Sequence, residues 1–285
     1  MRKIYTKILF ILLLIITFSH GANAIEPQGP DVWDRAAYGQ TPGIEYVNIV
    51  GYNDGITTSF EPLWQESIAY TVLSTAMSSP YCASTDANDT SAGTGARTVR
   101  VKGITSSFAA FTETVTLNGT TSVVLSNSSA QLINSMEVLT AGSGGVNAGN
   151  IRCGTGTNTG GAPATIHSVI PIGLNRSQMS WYGVPANKTL ICRALNVGSY
   201  GVTAAQTIQV ALDRYVNSGI LKRERILFLN QAGSSALSSS RLYKFEEKTI
   251  LVFQALSAAS TGPVGMSIDC LLIDNSSSNA NQIEF

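Results

Sequence analysis

Histidine is almost missing from this sequence: of 285 residues only His20 and His167 carry an imidazole. Charge is scarce as well, at 13% Asp, Glu, Lys and Arg. The four cysteines show no C-x-x-C spacing, which argues against a zinc ribbon or a redox dithiol. There is no G-x-S-x-G nucleophile elbow. The glycine-rich stretches "GTGTNTGG" and "AGSGGVNAG" lack the Lys and helix of a phosphate loop and read as turns. Only one apolar run is long, Ile8 to Phe18, and it follows Arg2, Lys3 and Lys7 and precedes Ala22-Asn23-Ala24. It falls short of the roughly 20 apolar residues of a membrane span. The pattern is that of a secretory signal at 1–24 cleaved after Ala24, with an uncleaved N-terminal anchor as the alternative. Loss of that segment leaves 15 basic against 18 acidic residues, about −3, and no concentrated basic patch, so no nucleic-acid partner is expected. The densest charge cluster, "LKRERI" at 221–226, reads as the solvated end of a strand.

Low charge, 44% hydrophobic residues and 26 glycines fit short strands joined by small-residue turns. "RTVRVKGI" (97–104) sets Val99 and Val101 on one face and Arg100 and Lys102 on the other, a half-buried strand. "TETVTLNGTTSVVL" (112–125) reads as a hairpin, with Val115 and Leu117 on one arm and Val123 and Leu125 on the other. Asn118-Gly119 supplies its type I′ turn. Further strands are expected at 45–50, 131–142, 164–172, 178–184, 189–198, 206–215, 223–231, 248–258 and 265–275, with "GYNDG" turning the first of them. The most apolar, near the C-terminus, are placed centrally. Turn signals spaced about 8–12 residues apart predict an all-β protein of two β-sandwich or jelly-roll-like halves. The expected organisation is a signal peptide at 1–24, a linker or arm at 25–44, sandwiches at 45–158 and 159–275, and a flexible tail at 276–285. "GTNTGGAP" is the hinge between the halves.

An even cysteine count suits export. Cys82–Cys153 and Cys192–Cys270, one bond within each half, is the favoured of three pairings, against four free thiols in a reducing compartment. Sequons occur at Asn88, Asn118, Asn127, Asn175, Asn187 and Asn275 and are glycosylation candidates on a eukaryotic-type secretory route. His167 alternates with Ile166 and Ser168 and has no acid near it in sequence, the setting of a structural histidine. Glu246 and Glu247 are neighbours, which on a strand face opposite ways. Asp86, Asn88 and Asp89 hint faintly at calcium, without the Gly and terminal Glu of an EF-hand loop. No catalytic residue, metal site or cofactor is expected.

Four segments carry a resemblance: "VNIVGYND" with "LWQESIAYTVLSTA"; the stretch from "DTSAGTGARTVRVKGI" through "AGSGGVNAGNI"; "GAPATIHSVIPIGLNRSQMSWYGVPANKTLICRALNVG"; and "FEEKTILVFQALSAASTGPVGMSIDCLLIDN". Together, over about residues 47–275, the chain resembles a group of β-rich structural proteins encoded by tailed phages of marine bacteria and by large viruses of algae. "GTGAR", "TLNGTT", "AGSGGVNAGNI", "VPANKT" and "EEKT" are its most specific motifs. The resemblance implies a non-enzymatic, capsid-associated virion structural or surface protein, with host attachment as a narrower form. It further implies homo-oligomers, contacts with other virion proteins and localisation in a virion, while the signal and the four cysteines, which such virion proteins normally lack, point to maturation through an exporting route. The alternative is a secreted cell-surface protein that binds glycans, a host-surface glycan among them, on exposed aromatics such as Trp181 and Tyr182.

Overall fold

The computed structural model describes residues 31–66, 75–216, 219–239, 241–258 and 262–277. The expected signal peptide and most of the expected tail lie outside them. Inside the expected arm, helix α1 (Val32–Ala37) turns Trp33 and Ala36 onto Ile44, Ile191, Leu271 and Ile273. The Arg193 guanidinium lies 4.0 Å over the Trp33 ring and 3.2 Å from the Asp31 carboxylate, so one side chain anchors this stretch at two points.

The strands are β1 (Ile44–Ile56), β2 (Glu61–Pro62), β3 (Tyr81–Ser84), β4 (Ala96–Thr105), β5 (Ala110–Thr116), β6 (Val123–Val124), β7 (Ala130–Ala141) and β8 (Ile151–Thr159). They continue with β9 (Ala162–Ile170), β10 (Trp181–Gly183), β11 (Lys188–Val216), β12 (Ile220–Ser239), β13 (Tyr243–Phe245), β14 (Thr249–Ser257) and β15 (Gly262–Asp274). The all-β expectation holds. The arrangement does not: the strands form a four-bladed β-propeller, not two sandwich or jelly-roll-like halves. Ladders join eight strands in one sheet, four in a second (β6-β3-β8-β9) and three in a third (β5-β4-β7). The large sheet divides along β11, whose first part pairs β15 and through it β1, while its last part pairs β14 and through it β10. Two wings and two smaller sheets make the four groups.

Independent halves fail because the chain closes on itself. β1 and β2, from the N-terminal half, pair with β15 and β14, from the C-terminal one. The cores interleave too: Trp64, Trp181, Ile250 and Val252 pack in the same cluster as Val99, Val101 and Leu132. The expected hinge is the tip of a hairpin, since Thr159 pairs with Ala162 and the β8–β9 register runs on to Ile151↔Ile170. "GYNDG" does not turn the chain. β1 runs through it to Ile56 with a register shift after Asn53, whose side-chain oxygen accepts the Gly55 amide at 2.9 Å.

The 112–125 hairpin is corrected as well. β5 pairs with β4, and β6 pairs with β3, so the two arms belong to different sheets. Alternation reported that both arms are half-buried strands, but it says nothing of their partners. Gly119 has φ +60° and Asn118 is not in the left-handed region, which excludes type I′. A Cβ on Gly119 would meet the Ala87 Cα at 3.0 Å. Gly119→Val should therefore lower stability by about 2 kcal/mol through positive φ alone, with crowding against Ala87 added. A urea midpoint equal to that of the wild type would show that this backbone relaxes freely.

Candidate functional site

A cleft of about 380 Å³ opens between β1 and the face of β4, β5 and β7. β4 supplies Arg100 and Lys102, which alternation turns away from the fully buried Val99 and Val101. The Lys102 ammonium lies 2.8 Å from Glu45 on β1, and Arg100 pairs with Glu137 on β7. Arg176 donates to the Asn48 carbonyl at 2.8 Å, and thus occupies an acceptor on the β1 edge. Lys188, also in the lining, lies 3.6 Å from Asp274. On β1, Tyr46 donates its hydroxyl to Asp269 at 2.6 Å and Asn48 donates to the same oxygen at 2.8 Å. Burial, with that carboxylate as acceptor, pushes the Tyr46 phenol up to about 12. Burial likewise raises the Tyr182 phenol, at the cleft floor, far above its usual value. Both phenols stay protonated at neutral pH and act as hydrogen-bonding groups. Arg100, Lys102 and Lys188 are paired with carboxylates and Arg176 with a backbone carbonyl, so the cleft is a largely charge-paired seam between two sheets.

The expected calcium loop is a different device. Asp89 is fully buried, and its carboxylate accepts from the Ser84 hydroxyl at 2.6 Å and from the amides of Ala96, Ala148 and Gly149 at 2.7, 2.8 and 2.9 Å. Four donors fill the lone pairs that a cation would need. Asp86 points elsewhere and accepts from the backbone and side-chain amides of Asn88 at 2.8 and 2.9 Å. Among the described residues no group of three or more His, Cys, Asp or Glu side chains could hold a metal ion. The spacing of Asp89 from Gly93 and Gly95 was the signal that sequence reading missed. A Cβ on Gly95 would stand 2.1 Å from the Asp89 carboxylate, and one on Gly93 would stand 1.9 Å from the Asn88 carbonyl.

The remaining candidates are spread over the molecule. His167 on β9 is buried, with its Nε2 3.3 Å from the Thr155 hydroxyl. Glu246 pairs with Lys244 at 3.1 Å, and Glu247 accepts the Asn187 amide at 2.6 Å, so the two acids serve separate contacts. Trp181 and Tyr182 are buried, which removes them as a glycan platform. Trp181 donates its indole N–H to the Ile133 carbonyl at 3.0 Å and meets Trp64 edge-on at 5.3 Å between centroids. Of the sequons, Asn88, Asn118, Asn187 and Asn275 are exposed; Asn127 and Asn175 are half-buried. Asn175 uses both ends of its amide, accepting from the Asn147 amide and donating to the Gly145 carbonyl at 3.0 Å each. Cys82–Cys153 and Cys192–Cys270 are disulfide-bonded, and no described cysteine is free. Each bond joins directly opposed residues of adjacent antiparallel strands.

No family model matches the chain, and no curated protein matches it. A solved structure described as infectious bursal disease virus, Gx strain, aligns with 82% of this chain and 72% of its own at 9% identity, with a TM-score of 0.24. A likeness that loose carries no argument about fold or function.

Asp89→Asn replaces one acceptor by a donor facing buried N–H groups. It should cost on the order of 3 kcal/mol in urea unfolding, and an unchanged midpoint would show that the loops hold without the carboxylate. Burial lowers the His167 pKa from 6.5, because it disfavours the imidazolium. The unfolded chain then binds the proton more readily, so this stability is present above about 6.5 and is lost as pH falls below it. The melting temperature of His167→Gln should fall less than that of the wild type between neutral pH and mild acid; parallel profiles would assign the acid sensitivity to other groups.

Proposed function

We propose that the protein is a non-enzymatic structural or surface protein of a virion, one that works through extended β surface rather than through a reacting pocket. The observation that carries this reading is the β11–β12 pair. Among the described residues β12 pairs with β11 alone, and it exposes Ile220, Leu221, Ile226 and Phe228. A long edge strand with an apolar face favours association with another chain. Two disulfides suit a protein that must persist outside a reducing cytosol. The resemblance to the phage and algal-virus proteins supplies the virion setting of this reading. The charge-paired cleft and the bond-saturated Asp89 fit a scaffold. Glycan binding loses its supposed platform, since Trp181 and Tyr182 are core residues.

Particles purified from the source through nuclease treatment and a density gradient should contain the protein in many copies by quantitative mass spectrometry. Abundance in the culture medium together with absence from particles would overturn the virion assignment.

A further inference from the structure

We propose that β12 pairs antiparallel with β12 of a second copy about a two-fold axis that passes between Glu224 and Arg225. The proposal deepens the assembly reading above and rests on it. Its basis is a feature of the β11–β12 ladder. Leu212 pairs with Arg225 and Asp213 pairs with Arg223, so Glu224 is an extra residue, a bulge. A bulge shifts the alternation of side chains by one. Beyond it Leu227 and Leu229 turn into the core while Ile226 and Phe228 turn out, with exposures of 37% and 57%. Before it Leu221 and Arg223 follow their partners Tyr215 and Asp213, on the same face as Ile226 and Phe228. One face of this edge strand therefore carries Leu221, Arg223, Ile226 and Phe228, although their spacing is not that of a regular strand.

That pattern is self-complementary. With the axis between Glu224 and Arg225, Leu221 stands opposite Phe228 of the second copy, and Arg223 stands opposite Ile226. Residues opposed in this way share a face on both strands, as cross-strand packing requires. The register also sets Glu224 opposite Arg225 twice, once on each side of the axis, so opposite charges face one another at the centre. Within its own chain Glu224 pairs with Arg214, and Arg225 donates to the Tyr243 hydroxyl. Two of the strand's three cations, Arg223 and Arg225, have partners within their own chain. Arg223 makes two 2.8 Å bonds to the buried carboxylate of Asp213, and its guanidinium lies 4.0 Å over the Phe60 ring. Its stem remains to pack against Ile226 of the second copy. Such an interface is isologous and closes as a dimer. A one-residue slip would set Glu224 against Glu224 in one direction or Arg225 against Arg225 in the other, and turn Phe228 away from Leu221, so the charges and the bulge together select one register.

Two variants of the full mature chain test this, Leu221→Cys and Phe228→Cys. Both positions are exposed, and the native cysteines are already bonded. Mixed and oxidised mildly, the two variants should form an inter-chain disulfide at least about tenfold more abundant than either forms alone, because the interface holds the thiols at high effective concentration. Phe228→Lys should keep the far-UV circular dichroism of the folded chain and shift the wild-type dimer to monomer in sedimentation. Equal cross-linking in the mixture and the single variants, or a dimer that survives Phe228→Lys, would overturn the proposal. Particle content separates the two readings. A protein present in particles but never cross-linked defeats this interface alone, and a cross-linked protein missing from particles defeats the virion assignment alone.

Discussion

The Asp89 carboxylate is the point around which the N-terminal part of the molecule is arranged. It accepts from the amide of Ala96, which opens β4, and from the amides of Ala148 and Gly149, which lead into β8. Its own carbonyl accepts the Gly119 amide at 2.8 Å. The stretches "GTGAR", "TLNGTT" and "AGSGGVNAGNI" are thus three loops tied to one residue. A buried carboxylate is costly unless it is bonded, so the loops and the acid require one another. The glycines follow from the crowding. A Cβ on Gly142 would stand 2.1 Å from the Gly93 carbonyl, and one on Gly149 would stand 2.7 Å from the Asp86 amide. The two smaller sheets meet at this knot, since β4 belongs to one and β3 and β8 to the other.

A second junction joins them to the large sheet. Ser180 accepts the Leu63 amide on its hydroxyl oxygen at 2.8 Å and donates that hydroxyl to the Phe253 carbonyl at 2.6 Å. Three residues on, Gly183 exchanges two bonds with the Asn134 side chain, at 2.8 and 2.9 Å. Asn134 acts there as a strand edge would, and offers one donor and one acceptor to a backbone. Gly183 must be small, because Ile104 would meet its Cβ at 2.4 Å. The "VPANKT" and "EEKT" motifs knot together beside this point: Val184 donates to the Thr249 carbonyl, Lys248 donates to the Val184 carbonyl, and Asn187 donates to Glu247. The polar groups named at both junctions are consumed by structure.

What the sequence determined by itself was local. Alternation placed Val99 and Val101 inside and Arg100 and Lys102 outside, and it located most strands within a few residues. Composition led to an all-β chain. These properties depend on the two-residue period of a strand and on the turn chemistry of Gly, Asn and Asp, both of which are written into short windows. The motifs were legible as unusual text, but not as contacts.

Tertiary structure decided partnership. The arms of 112–125 separate because β5 pairs with β4 and β6 with β3, and no window of sequence records that choice of partner. The segments 189–198 and 206–215 become one strand, β11, because β12 pairs with both and β15 and β14 continue along its other side. Asp89 looked like a candidate cation ligand because acids near glycines in a loop look alike whether exposed or buried. Only the arrival of Ala148 and Gly149, about sixty residues later in the chain, filled its lone pairs. The cleft is likewise made of residues from β1, β4, β7 and the loop carrying Arg176, each ordinary in its own strand. Burial and hydrogen-bond satisfaction are sums over the whole chain, so they could be settled only when it closed.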